Sequence, residues 1–483
     1  MLARLKSFFN PLTSDPLRAP RRIFWVGFLI RVLYITLAHT YRMRVILDHF
    51  EFGWEMGRIG RALATGYGFA EPFNGHSGPT AWTPPLYPLI IAGAFKLFGI
   101  YTLKSAWVIL TINSVFSAAT APAIYEIAWR CFGRKADGLK IALWSGWLWA
   151  LYPAAMQYAV KWVWDMSLTA FLFAWVLVLA LRIRGIGSGQ LQVAGCQLAG
   201  DDARARAIGR PQPSIDPEPQ PATSNLQPAT LWALFGVLWG LIALSNSSLL
   251  TFLPACGLWM VWPSLRTRTH LASSLRNVTL AALCFVAVIS PWVIRNWRVF
   301  HAFVPMRSNF GAELYEATLF SNDGFPWMAT LPMAETAPEF QRYERLGEIA
   351  FSKQQGEIAK AKIRAHPDLF VRNALRRVDF FWISVPHPTD AGIAIEAIRR
   401  INFSFFSFSG ILGLALAMRR HIPGAWLFFW AFTVFPLMYY VVTVQARFRH
   451  PLEPIICVLS VYLFQSADRT RTWSWQKPAS VSA

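Results

Sequence analysis

The chain has 483 residues, of which 54% are hydrophobic and only 15% are charged. Soluble domains carry about a quarter charged residues, so this composition excludes a chain that faces water over most of its surface. The net charge of +20 is spread over short basic tracts between apolar runs, which is typical of the cytoplasmic loops of membrane proteins and not of a nucleic-acid-binding stripe. The sequence therefore predicts an all-α, polytopic integral membrane protein.

Residues 1–184 are predicted to form an N-terminal membrane module. A basic N-terminal tail and the basic tract at Arg130–Lys140 both belong on the cytoplasmic side, so an outward and a return crossing must separate them. The apolar run Leu86–Phe98, about 13 residues long, is too short to cross and predicts an interfacial or re-entrant helix. Residues 41–103 then form one long outer loop. The predicted spans of this module are about Ile23–Ala38, Leu103–Trp129, Ile141–Tyr158 and Met166–Leu181.

The rest of the chain divides by composition into four parts. Residues 185–228, rich in Gly, Pro, Gln, Ser and Asp, predict a disordered cytoplasmic linker that is dispensable for catalysis. Residues 229–294 are the middle spans, 295–400 an outer (periplasmic) helical region, and 401–483 the last spans with a cytoplasmic tail. In the outer region, Glu339–Arg364 has the periodicity of one amphipathic helix, and a second helix is predicted to begin at Pro367. About ten spans result.

This threading places an unusual set of ionisable residues on the outer face. The cations among them break the usual preference for basic residues inside, close to the membrane surface. The set comprises Asp48, Glu51 and Glu55 after the first span, Lys161 and Asp165 between the third and fourth spans, Arg295 after the seventh, and Arg447, Arg449 and His450 before the last.

Two members of this set can also be interpreted without a functional role. A third ionisable residue, inside the first span, has no partner that the sequence identifies. Asp165 alone is equally consistent with a helix N-cap and with a functional group. For Glu51 a simple surface role is the better interpretation. Arg31 lies inside the first span, where a cation is costly and usually has a partner, but the sequence does not identify that partner.

The order of several short motifs resembles the GT-C superfamily of membrane glycosyltransferases, and most closely glycosyltransferase family 39, which includes protein O-mannosyltransferases and lipid A aminoarabinose transferases. The motifs are Asp48 heading a loop with "MGRIGRALATGYGF", then "TAWTPPLYPLIIAGAFKLFG", "WVWDMSL", "PWVIRNWRVFHAFVPMRSNFG" and "RFRHPLEP". They extend from the first span to the last. The family often has paired acids after the first span, whereas here Asp48 is followed by His49, which leaves Glu51 or Glu55 as the second acid.

The resemblance implies transfer of a hexosyl or pentosyl group from a polyprenyl-phosphate donor to an acceptor hydroxyl, with inversion of configuration at the anomeric carbon. It implies catalytic roles for Asp48 as base and Asp165 as an orienting group, or as a ligand of a divalent cation shared with Asp48; metal use stays open. The implied substrate-binding residues are Glu55, Lys161, Arg295, Arg447, Arg449 and His450. The expected location is the bacterial inner membrane, with the active site facing the periplasm.

Two other functions stay open at this stage. A polymerase of polyprenyl-linked glycans would also need outer arginines, and a transporter or flippase would handle the same lipid-linked sugar. Transporters place ionisable residues at the middle of the membrane on broken helices, often in repeated halves, and neither feature is evident here. The acceptor (a lipid, a glycan or a protein) cannot be identified from the sequence.

Overall fold

The computed structural model describes residues 18–44, 50–187, 228–319, 331–332, 337–385 and 393–467. Over these residues the chain is helical, and its only β-type pairing there is a single bridge between Ala70 and Pro79. The first ten helices are α1 (Ala19–Leu37), α2 (Glu55–Thr65), α3 (Leu86–Phe98), α4 (Leu103–Phe132), α5 (Gly138–Leu151), α6 (Pro153–Val160), α7 (Met166–Ile183), α8 (Pro228–Ala243), α9 (Leu253–Thr267) and α10 (Leu271–Phe300). The others are α11 (Phe310–Glu316), α12 (Pro338–Leu346), α13 (Glu348–Ala365), α14 (Pro367–Trp382), α15 (Ile393–Arg419), α16 (Ala425–Val434), α17 (Leu437–Val441) and α18 (Glu453–Gln465). Three short 3-10 helices cover Phe50–Phe52, Ser247–Phe252 and Ala446–Leu452.

Five helical segments among the described residues are long and apolar enough to cross a membrane: α4, α7, Ser247–Thr267, α10 and α15. Three shorter apolar helices accompany them, at Leu86–Phe98, Pro228–Ala243 and Ala425–Val441. Helix α4 packs against α1, α5 and α7, and α15 packs against α18, so that one apolar core runs through the bundle. The prediction of an all-α chain with several membrane-spanning helices is confirmed. The predicted linker falls almost wholly outside the described residues, at 188–227.

Two predicted helices are interrupted. The prediction of one continuous helix over Glu339–Arg364 is wrong, because α12 ends and α13 begins at Gly347, whose φ of +74° favours glycine. The third predicted span is broken at Tyr152, where α5 ends and Pro153 starts α6. Periodicity does not reveal either break, because the apolar spacing continues across it.

The break at Tyr152 supplies the partner that the sequence did not give for Arg31. The Arg31 guanidinium donates to the backbone oxygens of Ala150 at 2.9 Å and Trp149 at 3.3 Å, and to Ser117 Oγ at 3.1 Å. Pro153 has no N–H with which to continue the helix, so the carbonyl groups at the end of α5 need another donor. Arg31 is fully buried and satisfies them.

Replacing Arg31 with leucine is therefore expected to destabilise the bundle. Each buried carbonyl left without a donor costs about 1–3 kcal/mol, so the loss should be a few kcal/mol in total. Thermal unfolding of the purified protein in detergent, followed by tryptophan fluorescence, measures it. Arg21→Leu is the matched control, because Arg21 is exposed on the same helix. Equal transition temperatures for the two variants would contradict this role.

Two loop regions meet at one end of the bundle. We call residues 50–102 the first loop and residues 301–319 together with 337–385 the second loop; the end where they meet is the loop side. Phe73 and Trp82 of the first loop pack with Phe340, Tyr343 and Phe351 of the second in one aromatic cluster. This contact brings chain segments more than 200 residues apart against each other.

Candidate active site

Arg447 lies in the short 3-10 helix that precedes α18, on the loop side. Its guanidinium stacks 3.5 Å from the centre of the Trp164 ring and 5.2 Å from that of Phe448. Within the described part of the chain it makes no hydrogen bond or ion pair, although its side chain is half-buried. A guanidinium held by stacking keeps its N–H donors available for an anion.

Asp165 is the buried acid of this site. It immediately precedes α7, and its side chain makes no helix-capping hydrogen bond, which removes the N-cap interpretation. Thr169 Oγ1 donates to Asp165 Oδ2 at 3.4 Å. Burial raises the pKa of Asp165 to about 6, and the positive charges of Arg447 and Arg307 oppose that rise. The carboxyl is thus poised to change its charge near neutral pH.

Glu55 contributes a second acid from the first turn of α2. Burial raises the pKa of Glu55, although the charges of Arg447 and Arg307 favour its ionised form. In turn, the carboxylates of Glu55 and Asp165 favour the charged form of Arg447, whose pKa burial lowers to about 10. Glu55, Asp165 and Arg447, which are far apart in sequence, therefore belong to one electrostatic cluster.

Two further residues of the cluster come from the second loop. Arg307 Nε donates to the backbone oxygen of Trp82 at 3.0 Å, and its Nη2 lies 3.9 Å from Glu313 Oε1. Glu313 Oε2 accepts a hydrogen bond from Thr443 Oγ1 at 3.0 Å, just before the Arg447 helix. Sequence reasoning missed both residues. The only signal was Arg307 itself, a cation following the seventh span inside the quoted motif "VPMRSNFG".

The other predicted substrate-binding residues have different surroundings. The Arg295 guanidinium donates to the backbone oxygens of Thr80 and Phe69, both at 2.6 Å, and so holds the first loop against α10. Lys161 is exposed at the end of α6.

Arg449 and His450 are fully buried beside the cluster and not within it. Arg449 donates to the Phe403 backbone oxygen at 3.0 Å and to Ser407 Oγ, and its Nη2 lies 3.3 Å from Glu453. His450 Nδ1 lies 2.7 Å from Glu453 Oε2. Their partners are thus groups of α15 and α18, whereas Arg447, two residues earlier than Arg449, stacks on Trp164 and interacts electrostatically with the acids.

Asp48, the predicted base, lies outside the described residues, as does its predicted approach to Asp165. Among the residues that the structure describes, there is no group of three or more His, Cys, Asp or Glu side chains arranged to hold a metal ion. Use of a divalent cation by Asp48 and Asp165 therefore stays an untested prediction.

Comparison with known proteins gives structural similarity only. No family model and no curated protein sequence matches the chain. The chain is similar to the crystal structure of the Archaeoglobus fulgidus oligosaccharyltransferase in complex with Zn and sulfate, with a TM-score of 0.47, 13% identity, and coverage of 92% of this chain and 48% of that one. The same archaeal enzyme, AglB, in complex with an inhibitory peptide and a dolichol-phosphate gives a TM-score of 0.45 and 14% identity over 92% of this chain and 50% of that one.

A bacterial structure is also similar. ArnT from Cupriavidus metallidurans bound to undecaprenyl phosphate gives a TM-score of 0.39 and 14% identity, covering 91% of this chain and 77% of that one. The chain spans about half the length of the archaeal structures.

Proposed function

We propose that the chain is a GT-C membrane glycosyltransferase that moves a sugar from a polyprenyl-phosphate donor to an acceptor hydroxyl. The observation that carries this proposal is the Arg447 guanidinium, which is held by stacking, makes no hydrogen bond among the described residues, and interacts electrostatically with Glu55 and Asp165. A cation with free donors suits a phosphate, and adjacent acids suit the activation or orientation of a hydroxyl.

Arg447 is assigned to the donor phosphate. When the bond between the anomeric carbon and the phosphate oxygen breaks, the bonding electrons and negative charge go to the lipid phosphate. The planar fork of Arg447 donates to two phosphate oxygens and stabilises that charge, and Arg307 adds a second positive charge from the second loop. The leaving phosphate then needs no proton.

The acids are assigned to deprotonation and orientation of the acceptor hydroxyl. The acceptor oxygen forms the new bond to the anomeric carbon and gives its proton to Asp48, the base proposed from the sequence. Asp165 orients the hydroxyl, and the carboxylate of Glu55 favours the charged form of Arg447. Attack on the face opposite the phosphate would invert the configuration at the anomeric carbon. We assign this chemistry to the periplasmic face of a bacterial inner membrane, which would place the loop side in the periplasm.

Transfer of label tests the proposed function directly. Membranes containing the chain are incubated with radiolabelled polyprenyl-phosphate sugars, and lipid, glycan and protein fractions are analysed for label. Membranes carrying Asp48→Asn serve as the control. Label transferred by the parental chain and absent from the control is the expected result. Movement of intact lipid-linked sugar across vesicles without any transferred label would instead indicate a transporter.

The pH dependence of transfer is expected to report Asp165. Because its ionised form orients the acceptor, kcat/KM should fall about tenfold per pH unit below a pKa of about 6. The Thr169 hydroxyl donates to the carboxylate and favours its charged form, so Thr169→Val should move this limb to higher pH. Asp165→Asn should remove the limb. A parental profile that is flat between about pH 5 and 7 would contradict the role of Asp165.

A further inference from the structure

Glu348, the first residue of α13, is a buried carboxylate outside the cluster described above. Its side chain is 4% exposed. It accepts hydrogen bonds from Thr80 Oγ1 at 2.5 Å, the Ala81 N–H at 2.6 Å, Ser308 Oγ at 2.6 Å and the Tyr343 hydroxyl at 3.0 Å. The donors belong to both loops, so this one carboxylate joins the first loop to the second.

Two residues that donate to Glu348, Ser308 and Ala81, are sequence neighbours of Arg307 and of its hydrogen-bond partner Trp82. Ser308 follows Arg307, and its N–H donates to the Ala81 backbone oxygen at 3.0 Å. The Arg307 side chain donates to the backbone oxygen of Trp82, the residue after Ala81. The backbone that carries Arg307 and the carbonyl that orients its guanidinium are thus tied to the same carboxylate.

Burying the Glu348 carboxylate costs folding free energy unless its oxygens accept hydrogen bonds in place of water. Burial raises the pKa of Glu348, whereas the hydrogen bonds from Ser308 and Thr80 favour its ionised form. A buried carboxylate is tolerated when its oxygens accept several good hydrogen bonds, and it then fixes the position of every donor. A packing role alone would not require an ionisable group at this position.

We propose that Glu348 is a positioning residue that fixes the Arg307 guanidinium toward the donor phosphate. This inference rests on the proposed function, in which Arg307 supplies the second positive charge. Glu348 does not itself reach the reacting atoms. It acts by keeping the Trp82 carbonyl and the Arg307 backbone in register across the contact between the two loops.

Glu348→Gln is the first test. Glu348 Oε1 accepts from Ala81 and Ser308, and Oε2 accepts from Thr80 and Tyr343. An amide nitrogen cannot accept a hydrogen bond, so the pair of donors on one of these two sides loses its acceptor. We expect the KM for the polyprenyl-phosphate sugar and the Kd for undecaprenyl phosphate to rise about tenfold, with a smaller change in kcat. Glu339→Gln is the matched control, because Glu339 is a half-buried acid on α12 that accepts a hydrogen bond from Gln355 and pairs with Arg342, with no hydrogen bond or ion pair to the first loop or Ser308 among the described residues.

A double-mutant cycle separates positioning from general stabilisation. If Glu348 acts through Arg307, then adding Glu348→Gln to Arg307→Ala should weaken undecaprenyl phosphate binding no further. An equal additional loss in both backgrounds would overturn the inference. If Glu348→Gln does not fold, Tyr343→Phe removes one donor to the carboxylate, keeps the aromatic ring, and should give a smaller rise in the same Kd.

The result also distinguishes this inference from the proposed function. Transfer and lipid binding by the parental chain, lost in Arg307→Ala but unchanged in Glu348→Gln, would overturn the inference alone. A parental chain that neither transfers label nor binds undecaprenyl phosphate would overturn the proposed function, and the inference with it.

Discussion

Asp48→Asn is expected to reduce turnover by about a hundredfold to ten-thousandfold, the usual contribution of a general base, while leaving donor binding intact. Asparagine keeps the size and polarity of the side chain but cannot take the proton of the acceptor hydroxyl. Single-turnover transfer measures the chemical step, and binding of undecaprenyl phosphate to the purified protein in nanodiscs measures the donor site.

Asp368→Asn is the matched control for this variant. Asp368 is an exposed acid in the first turn of α14, on the loop side, and should transfer at close to the parental rate. Near-parental turnover by Asp48→Asn would remove Asp48 from the mechanism. Asp165→Asn and Glu55→Gln would then identify which acid of the cluster takes the proton.

Arg447→Lys is expected to weaken use of the donor even though the charge is kept. A lysine cannot reproduce the planar fork that donates to two phosphate oxygens, nor its stacking on Trp164. Loss of a charge-assisted hydrogen bond costs roughly 1.5–3 kcal/mol, which corresponds to about a tenfold to hundredfold fall in kcat/KM. Arg447→Ala, which also removes the charge, should be worse. Transfer measured across donor concentrations, together with undecaprenyl phosphate binding, tests both variants.

Arg298→Lys controls for a general effect of replacing an arginine on the loop side. Arg298 is exposed in the last turn of α10 and makes no hydrogen bond or ion pair among the described residues. If Arg447→Lys transfers sugar at the parental rate at every donor concentration, the phosphate site lies elsewhere. Arg307 is then the first residue to test, followed by Lys161 and Arg449.

The apolar runs of the sequence determined where most helices lie. Leu103–Phe132 and Met166–Ile183 were predicted to within a few residues, because a backbone in lipid must satisfy its hydrogen bonds within the helix over a set length. The short helix Leu86–Phe98 and the start of α14 at Pro367 follow equally local rules of length and proline geometry. Glu55, Asp165 and Arg447 were all among the predicted site residues because few ionisable residues lie near the ends of the apolar runs, so each one is conspicuous in the sequence.

Only the tertiary structure decided which of these groups face one another. Arg447 and Arg449 are two residues apart in one motif, yet one is stacked beside the acids and the other is buried against Phe403, Ser407 and Glu453. The direction of each side chain depends on how the 3-10 helix packs against α7 and α14, which are distant in sequence, and against α18, which follows it directly.

The hydrogen-bond partners of Arg307, Glu348 and Arg31 were likewise decided by long-range packing. Each bonds to groups that are far away along the chain: Trp82 for Arg307, Thr80 and Ala81 for Glu348, Ala150 for Arg31. Hydropathy and helix periodicity reflect the burial of a segment and its local hydrogen bonds, and these are properties of nearby residues. A hydrogen bond between distant residues exists only when packing has placed donor and acceptor within reach, so the sequence supplied the charges and the fold assigned their partners.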